Sequence, residues 1–176
     1  MVLQLLEQHG WVANPKKCEF GKQWVHYLGH QISEQGVEMD QDKIKAIVEW
    51  GEPKNLKALR GFLGLTGYYR RFVQRYGELA RPLIELLKKG KFEWTEKVGT
   101  AMATLKSTIT YAPVLVLPDF TQEFHLECDA SGGGVGVVLM QNRKPIAFFS
   151  KALSEGSLSK FIYEKESMAL VMAIQH

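Results

Sequence analysis

The sequence is poor in cysteine and proline and has no long apolar run. Only Cys18 and Cys128 are cysteines among 176 residues. They are far apart and lack metal-ligand spacing, which excludes a disulfide scaffold or a cysteine-based zinc module. Six prolines and 16 glycines do not make a low-complexity chain. Apolar stretches such as 135–140, broken by Gly136, are too short to cross a bilayer. The start, Met1-Val2-Leu3-Gln4-Leu5-Leu6-Glu7, has no basic segment or cleavage site. The expectation is therefore no signal peptide, no membrane association and an intracellular location, not a secreted protein. What remains is an ordinary globular composition, 45% hydrophobic and 23% charged, long enough for one domain or two small ones.

The formal charge of +3 averages over unlike halves. Residues 1–91 carry 15 basic and 10 acidic residues, and residues 92–176 carry 7 and 9. Within 54–91 there are 10 basic residues against Glu78 and Glu85, a net +8. Phe62, Tyr68, Tyr69, Phe72 and Tyr76 are interleaved with them. Cations among aromatic rings suit a polyanion that also offers π-faces, which is nucleic acid. A helical segment with a solvated basic face and an aromatic core explains the same pattern.

Periodicity divides the chain into segments. Val2, Leu5, Leu6 and His9 have helical spacing up to Gly10. Extended runs are expected at 11–13, 18–20 and 24–33, with Asn14-Pro15-Lys16-Lys17 and Glu34-Gln35-Gly36 as turns. In the last run Val25, Tyr27 and Gly29 face one way, and His26, Leu28 and His30 the other. Asp40 can cap a helix bearing Ile44, Ile47 and Val48. Asn55 opens another with Leu56, Leu59, Phe62 and Leu63 on one stripe. Its Gly61, Gly64 and Gly67 recur every three residues, which lets a backbone or partner approach. A helix near Pro82 buries Leu83, Leu86 and Leu87 and ends at Lys88-Lys89-Gly90. Another, capped by Thr95, carries Val98, Met102, Leu105 and Ile109. The period then falls to 2. Phe124, Leu126 and Cys128 alternate with polar residues up to Asp129. Gly132-Gly133-Gly134 and Asn142-Arg143 turn the chain through strands 135–141 and 145–150, and a helix runs from about Ser159 to the end. Charge and motif type both change near 90–95, where a domain boundary is expected.

Two carboxylates invite a chemical reading. Asp129 ends a strand beside Ala130, Ser131 and glycines. Glu166 sits on an apolar helix that a β-β-β-α order would bring across the sheet. Meeting there, they would bind Mg²⁺ and orient a phosphodiester. The plainer alternative makes Asp129 a turn residue and leaves Glu166 solvated. The glycine run lacks a phosphate-loop pattern and reads as a hairpin turn. The histidines offer no zinc pair, and no Ser-His-Asp set stands out.

Several motifs taken together resemble one family. Asn14-Pro15-Lys16-Lys17-Cys18-Glu19-Phe20, Tyr27-Leu28-Gly29-His30 and the block Leu59-Arg60-Gly61-Phe62-Leu63-Gly64-Leu65-Thr66-Gly67-Tyr68-Tyr69-Arg70-Arg71-Phe72 are similar to the Pol polyprotein of Ty3/gypsy-type LTR retrotransposons. So are Ala112-Pro113-Val114-Leu115, Asp129-Ala130-Ser131 and Tyr163-Glu164-Lys165-Glu166. The resemblance runs through essentially the whole chain in order. It implies a mixed α+β fold. Residues 1–40 would end a reverse transcriptase palm, with a primer-grip hairpin of Trp24, Tyr27, Leu28, Gly29 and His30. Residues 41–91 would form a helical thumb and connection in which Lys54, Lys57, Arg60, Arg70, Arg71 and Arg75 meet phosphates. Residues 92–176 would complete the connection and begin an RNase H-like domain, an incomplete β-β-β-α unit.

The implied partners are an RNA–DNA hybrid, a template–primer duplex and the remainder of the polyprotein, in a parent that could be dimeric. The implied cofactor is Mg²⁺, with Mn²⁺ as a substitute. Asp129 and Glu166 match the first two RNase H carboxylates, with Glu164 a competitor for the second. The polymerase aspartates would fall before Met1 and the remaining nuclease carboxylates after His176, so the 176 residues alone are expected to be inactive. Gly51, Met102 and Ser167-Met168 depart from the family's usual Pro, Phe and Leu-Leu. The strand ending at Asp129 is expected to show an unpaired edge, which would leave the C-terminal half marginal alone. The alternatives are a non-catalytic nucleic-acid-binding module and an element remnant repurposed for protein interaction.

Overall fold

Gly10, at φ +72°, stops the first helix, α1 (Val2–Gln8), in a computed structural model that describes residues 1–88, 92–131 and 133–176. The expected strands at 11–13 and 18–20 do not form. Trp11, Val12 and Phe20 lie in solvent, so these residues have no sheet to join. Asn14 instead starts a 3-10 turn at Pro15–Lys17, its side chain accepting from the Lys16 N–H at 3.0 Å.

The run 24–33 is two strands, not one. β1 (Trp24–Tyr27) turns through Leu28 and Gly29 into β2 (His30–Ser33), and β3 (Gly36–Met39) completes an antiparallel sheet. Leu28 at φ +48° and Gly29 at +73° form the two-residue turn that matches strand twist. The fold back pairs His30 with Tyr27, so the two share a face. The expected grouping of His30 with His26 ignored this reversal and is corrected.

Asp40 then caps α2 (Gln41–Val48), accepting from the Asp42 and Lys43 N–H groups at 2.9 and 3.3 Å. Asn55 caps α3 (Leu56–Tyr68) through the Ala58 N–H at 2.9 Å. A 3-10 turn (Arg70–Phe72), α4 (Tyr76–Leu79), α5 (Arg81–Lys88) and α6 (Glu96–Thr110) follow. Lys89, Gly90 and Lys91 lie outside the described residues. The apolar stripes of these helices meet in one core. Ile47, Leu59, Phe62, Leu83, Leu105 and Ile109 are each fully buried within it. Burying such a side chain contributes roughly 1.5–3 kcal/mol. The change of charge near 90–95 therefore does not coincide with a break in packing. The same core reaches Leu115, whose N–H and carbonyl exchange bonds of 2.8 and 2.7 Å with Val37 of β3. Only glycine fits at 36. Its φ is +137°, and a Cβ there would stand 2.1 Å from the Leu115 oxygen.

A second antiparallel sheet follows: β4 (His125–Ala130), β5 (Gly134–Gln141) and β6 (Lys144–Ala152). Asn142 and Arg143, both at positive φ, turn β5 into β6. Gly132, the first of the glycine run, lies outside the described residues. The short α7 (Glu155–Leu158) was not expected. It delays the last helix, α8, to Ile162–Ile174. Val135 and Val137, with Cys128 and Ala130, face α8 and close a small second core around Ala169. The opposite face of the sheet receives α4 and the 3-10 turn before it. β4 is only partly the half-buried strand its alternation suggests, because Phe124 and Leu126 remain 41% and 40% exposed. Among the described residues β4 pairs with β5 alone, leaving its other edge open.

Candidate nucleic-acid interface and carboxylate pair

Two of the sequence motifs are the two sides of one contact. Tyr68 Oη donates to the Leu28 carbonyl at 2.6 Å, and Tyr69 Oη donates to the Gly29 carbonyl at 2.7 Å. The end of α3 thus holds both turn carbonyls of the hairpin. A non-glycine residue at positive φ costs roughly 1–3 kcal/mol, and these two bonds offset the strain at Leu28. Burial pushes the Tyr69 hydroxyl up to about 12, with smaller contributions from Tyr68 and Asp40, so it stays a donor. The Asp40 carboxylate also lies 3.1 Å from His26 Nδ1 of β1.

His30 does not face outward with the rest of the tip. Its ring lies 5.5 Å from Phe72 in a stacked arrangement, and 5.4 and 5.6 Å from Tyr68 and Tyr69. Its Nε2 is buried without a hydrogen-bond partner. His30 therefore docks the hairpin. Trp24, Tyr27 and Leu28 are exposed by 44%, 61% and 70%.

The exposed side of α3 carries Lys57, Arg60, Gly64 and Tyr68, positions that share a helical face. Lys54, Arg70 and Arg71 extend it at either end and are also exposed. The glycine stripe serves two ends. A Cβ at Gly61 would stand 3.2 Å from Trp50, whereas one at Gly64 would meet nothing within 4 Å. Gly64 thus has no internal packing reason. Arg75 differs from the other cations. Its Nε and one terminal nitrogen hold the Glu78 carboxylate at 3.1 and 2.7 Å, so its donors are engaged within the fold.

Asp129 is exposed and lies opposite Gly136 in the β4–β5 register. Cys128 packs toward α8, so strand alternation turns Asp129 to the other face. Glu166 is exposed on α8. Burial raises the Cys128 thiol, and the Glu166 charge adds to this. Glu166 therefore lies near Cys128, the residue before Asp129. Glu164 is spoken for. It accepts from the Phe161 N–H at 2.9 Å at the start of α8 and lies 3.8 Å from Lys160.

Among the described residues no group of three or more His, Cys, Asp or Glu side chains is gathered at metal-binding distance. The carboxylates present do not by themselves fit a divalent cation, which needs about six oxygen ligands, and no chemical step is derived through one. Nor is the glycine run a phosphate cradle. The Gly133 and Gly134 N–H groups both donate to Ser131 Oγ at 3.2 Å.

This combination, a hairpin locked to a basic helix and followed by a β-β-β-α sheet, is of reverse transcriptase type. Residues 94–176 match the family described as an RNase H-like domain found in reverse transcriptase. An uncharacterized mitochondrial protein of Arabidopsis thaliana is 56% identical over 126 residues, covering 70% of this chain and 80% of that protein. The Pol polyprotein of transposon 297 of Drosophila melanogaster is 42% identical over 159 residues, covering 89% of this chain and 15% of the polyprotein. The Tf2-3 polyprotein of Schizosaccharomyces pombe is 35% identical over 181 residues, covering 99% and 14%. The chain belongs to the retrotransposon Pol polyproteins, as a fragment of their reverse transcriptase/RNase H region. A foamy viral protease-reverse transcriptase solved with an RNA/DNA hybrid has the same fold, with a TM-score of 0.90 at 24% identity over 98% of this chain and 24% of that one. The chain spans about a seventh of the transposon polyproteins it matches.

Sequence reading missed the two tyrosine tethers, although both lie inside the block 59–72. Their signal was the pairing of a Leu-Gly turn with adjacent tyrosines, which shows only once the two segments meet.

Proposed function

We propose that the chain is the part of a Ty3/gypsy-type Pol that grips the template–primer duplex and begins the RNase H domain. In this reading the 24–30 tip positions the primer, and Lys54, Lys57, Arg60, Arg70 and Arg71 neutralise phosphates. Arg75 keeps its place in the fold. The parent would copy RNA into DNA and cleave the RNA strand of the hybrid; Asp129 and Glu166 would supply two of the carboxylates toward Mg²⁺ or Mn²⁺, the others coming from the remainder of the polyprotein. The observation that carries the reading is the double tether of Tyr68 and Tyr69. It makes the hairpin tip and the basic face of α3 one continuous surface. The RNA/DNA hybrid and double-stranded DNA bound by the foamy viral enzymes support nucleic acid as the partner.

Fluorescence anisotropy with an RNA–DNA hybrid tests this. Affinity should fall steeply with salt, with a logarithmic slope of about −0.9 for each phosphate neutralised. Replacing Lys57, Arg60, Arg70 and Arg71 by glutamine should make that slope shallower stepwise. Binding insensitive to salt would remove the reading. Asp129→Asn should leave binding unchanged, and the chain alone should not cleave the hybrid. Cleavage abolished by Asp129→Asn would overturn the inactivity.

The exposed cations Lys57 and Arg60 on one face of α3 also fit a second reading for the chain by itself, a duplex-binding module without catalysis.

A further inference from the structure

The contact between the helical core and the second sheet centres on one carboxylate. Glu78, on α4, accepts from Ser131 Oγ in a short hydrogen bond through Oε1 and from Arg75 through Oε2. Ser131 is two residues beyond Asp129. Its hydroxyl oxygen accepts the Gly133 and Gly134 amides, and its own N–H donates to the Gly134 carbonyl at 2.9 Å. Its single proton goes to Glu78, with the Gly134 carbonyl a longer alternative acceptor at 3.3 Å. Two further hydrogen bonds surround this hub. The Gly77 N–H donates to Ser150 Oγ of β6 at 2.9 Å. Arg81 donates to the Gly133 carbonyl at 3.3 Å. A Cβ at Gly134 would stand 2.7 Å from Glu78 Cγ, and one at Gly136, the register partner of Asp129, would stand 3.6 Å from Arg75 Cγ.

Glycine at 134 thus lets Glu78 lie against the sheet, on the face to which Asp129 belongs, while Arg75 passes Gly136 at ordinary contact distance. None of this serves the hydrophobic core. Gly134 is small because Glu78, from another part of the chain, occupies the space its side chain would fill.

We propose that Glu78 is a positioning residue for the Asp129 strand end: through Ser131 it sets the backbone that carries Asp129, from the helical side of the molecule. Arg75 holds the Glu78 carboxylate in place for the short bond. The strand end is therefore formed only while α4 is docked on the sheet. The consequence for cleavage rests on the reading of Asp129 as a nuclease carboxylate. The contact itself does not, and its test involves neither duplex binding nor cleavage.

The test is site-resolved amide exchange on the 176-residue chain. Glu78→Ala should speed exchange at Ser131 and Gly134 by about tenfold, the worth of one net hydrogen bond, with the amides of α3 and α6 unchanged. Ser131→Ala should have the same effect, and the double variant should add nothing to either. Ser131→Thr, which keeps the hydroxyl, should restore protection. Glu78→Gln, which keeps an acceptor but loses the charge on Arg75, should fall between. Unchanged exchange at 131 and 134 in Glu78→Ala would overturn the proposal. So would an equal loss over the whole chain, or additive effects in the double variant. Failure of the chain to bind a duplex would instead count against the proposed function and leave these exchange results standing.

Discussion

Tyr69 Oη donates to the Gly29 carbonyl across 40 residues of sequence, at 2.7 Å, with the tyrosine ring itself buried. The bond closes a hairpin that has little core of its own. Tyr69→Phe removes this donor and leaves the Gly29 carbonyl with the Asp40 N–H at 3.3 Å, which costs about 1 kcal/mol. Urea denaturation should show this as a lower midpoint with an unchanged slope. The hydroxyl is raised to about 12 in the folded chain from an ordinary value of 10.0. A raised value means the stability is fully present below pH 10 and is lost as pH climbs toward 12. The wild type should lose stability across that window. Tyr69→Phe should lose less, because the group that titrates is gone.

Leu28 shares the turn with Gly29 but has no glycine freedom, at φ +48°. Its side chain is 70% exposed and so contributes little to packing. Leu28→Gly should therefore stabilise the chain by about 1 kcal/mol, the left-handed cost of an L-residue. Thermal melting measures this directly. If the leucine is kept for contact with a primer, the same variant should bind an RNA–DNA hybrid less tightly while melting higher. A lower melting temperature would mean that Leu28 packs in a way its exposure does not reveal.

The longer helices were legible from their stripes, and α2 and α3 also from their caps, whereas Thr95 starts α6 without the side-chain cap bond expected of it. Asp40 and Asn55 cap as their side chains suggest, and Val98, Met102, Leu105 and Ile109 are all buried at their helical spacing. The sheets were legible in composition but not in register. One residue of alternation hid the turn at 28–29, because Leu28 does not look like a positive-φ residue. β3 escaped notice because its ladder is completed by Leu115, more than 70 residues away. The site was legible only as a set of motifs. Arg75 and Arg71 look alike in sequence, and only the fold engages one with Glu78 and leaves the other exposed over the Phe72 ring.

Charge alone would split the chain near 90–95, whereas packing joins α6 to α2, α4 and α5 across that point. Leu59→Ala and Ile109→Ala test which governs folding. Each removes a fully buried side chain from the same core and should cost about 2–5 kcal/mol. Both should shift one common transition over residues 39–115, followed by tryptophan fluorescence at Trp50 and Trp94. A variant at 109 that leaves the Trp50 transition in place would show that α6 folds separately.

Gly64 separates stability from binding in one substitution. It lies within α3, with open space where a side chain would go, so its backbone entropy is spent without an internal return. Gly64→Leu should raise helix stability by up to about 1 kcal/mol, seen as a higher denaturation midpoint. If the exposed face of α3 lies close against a duplex, the added side chain must stand in the way. Affinity for an RNA–DNA hybrid should then fall by about tenfold or more, the equivalent of about 1.4 kcal/mol. A more stable variant with undiminished affinity would move the duplex off this face and leave the glycine without a functional reason. Gly61→Leu is the control. It collides with Trp50 at 3.2 Å and should lower stability, so only position 64 can show the two effects in opposite directions.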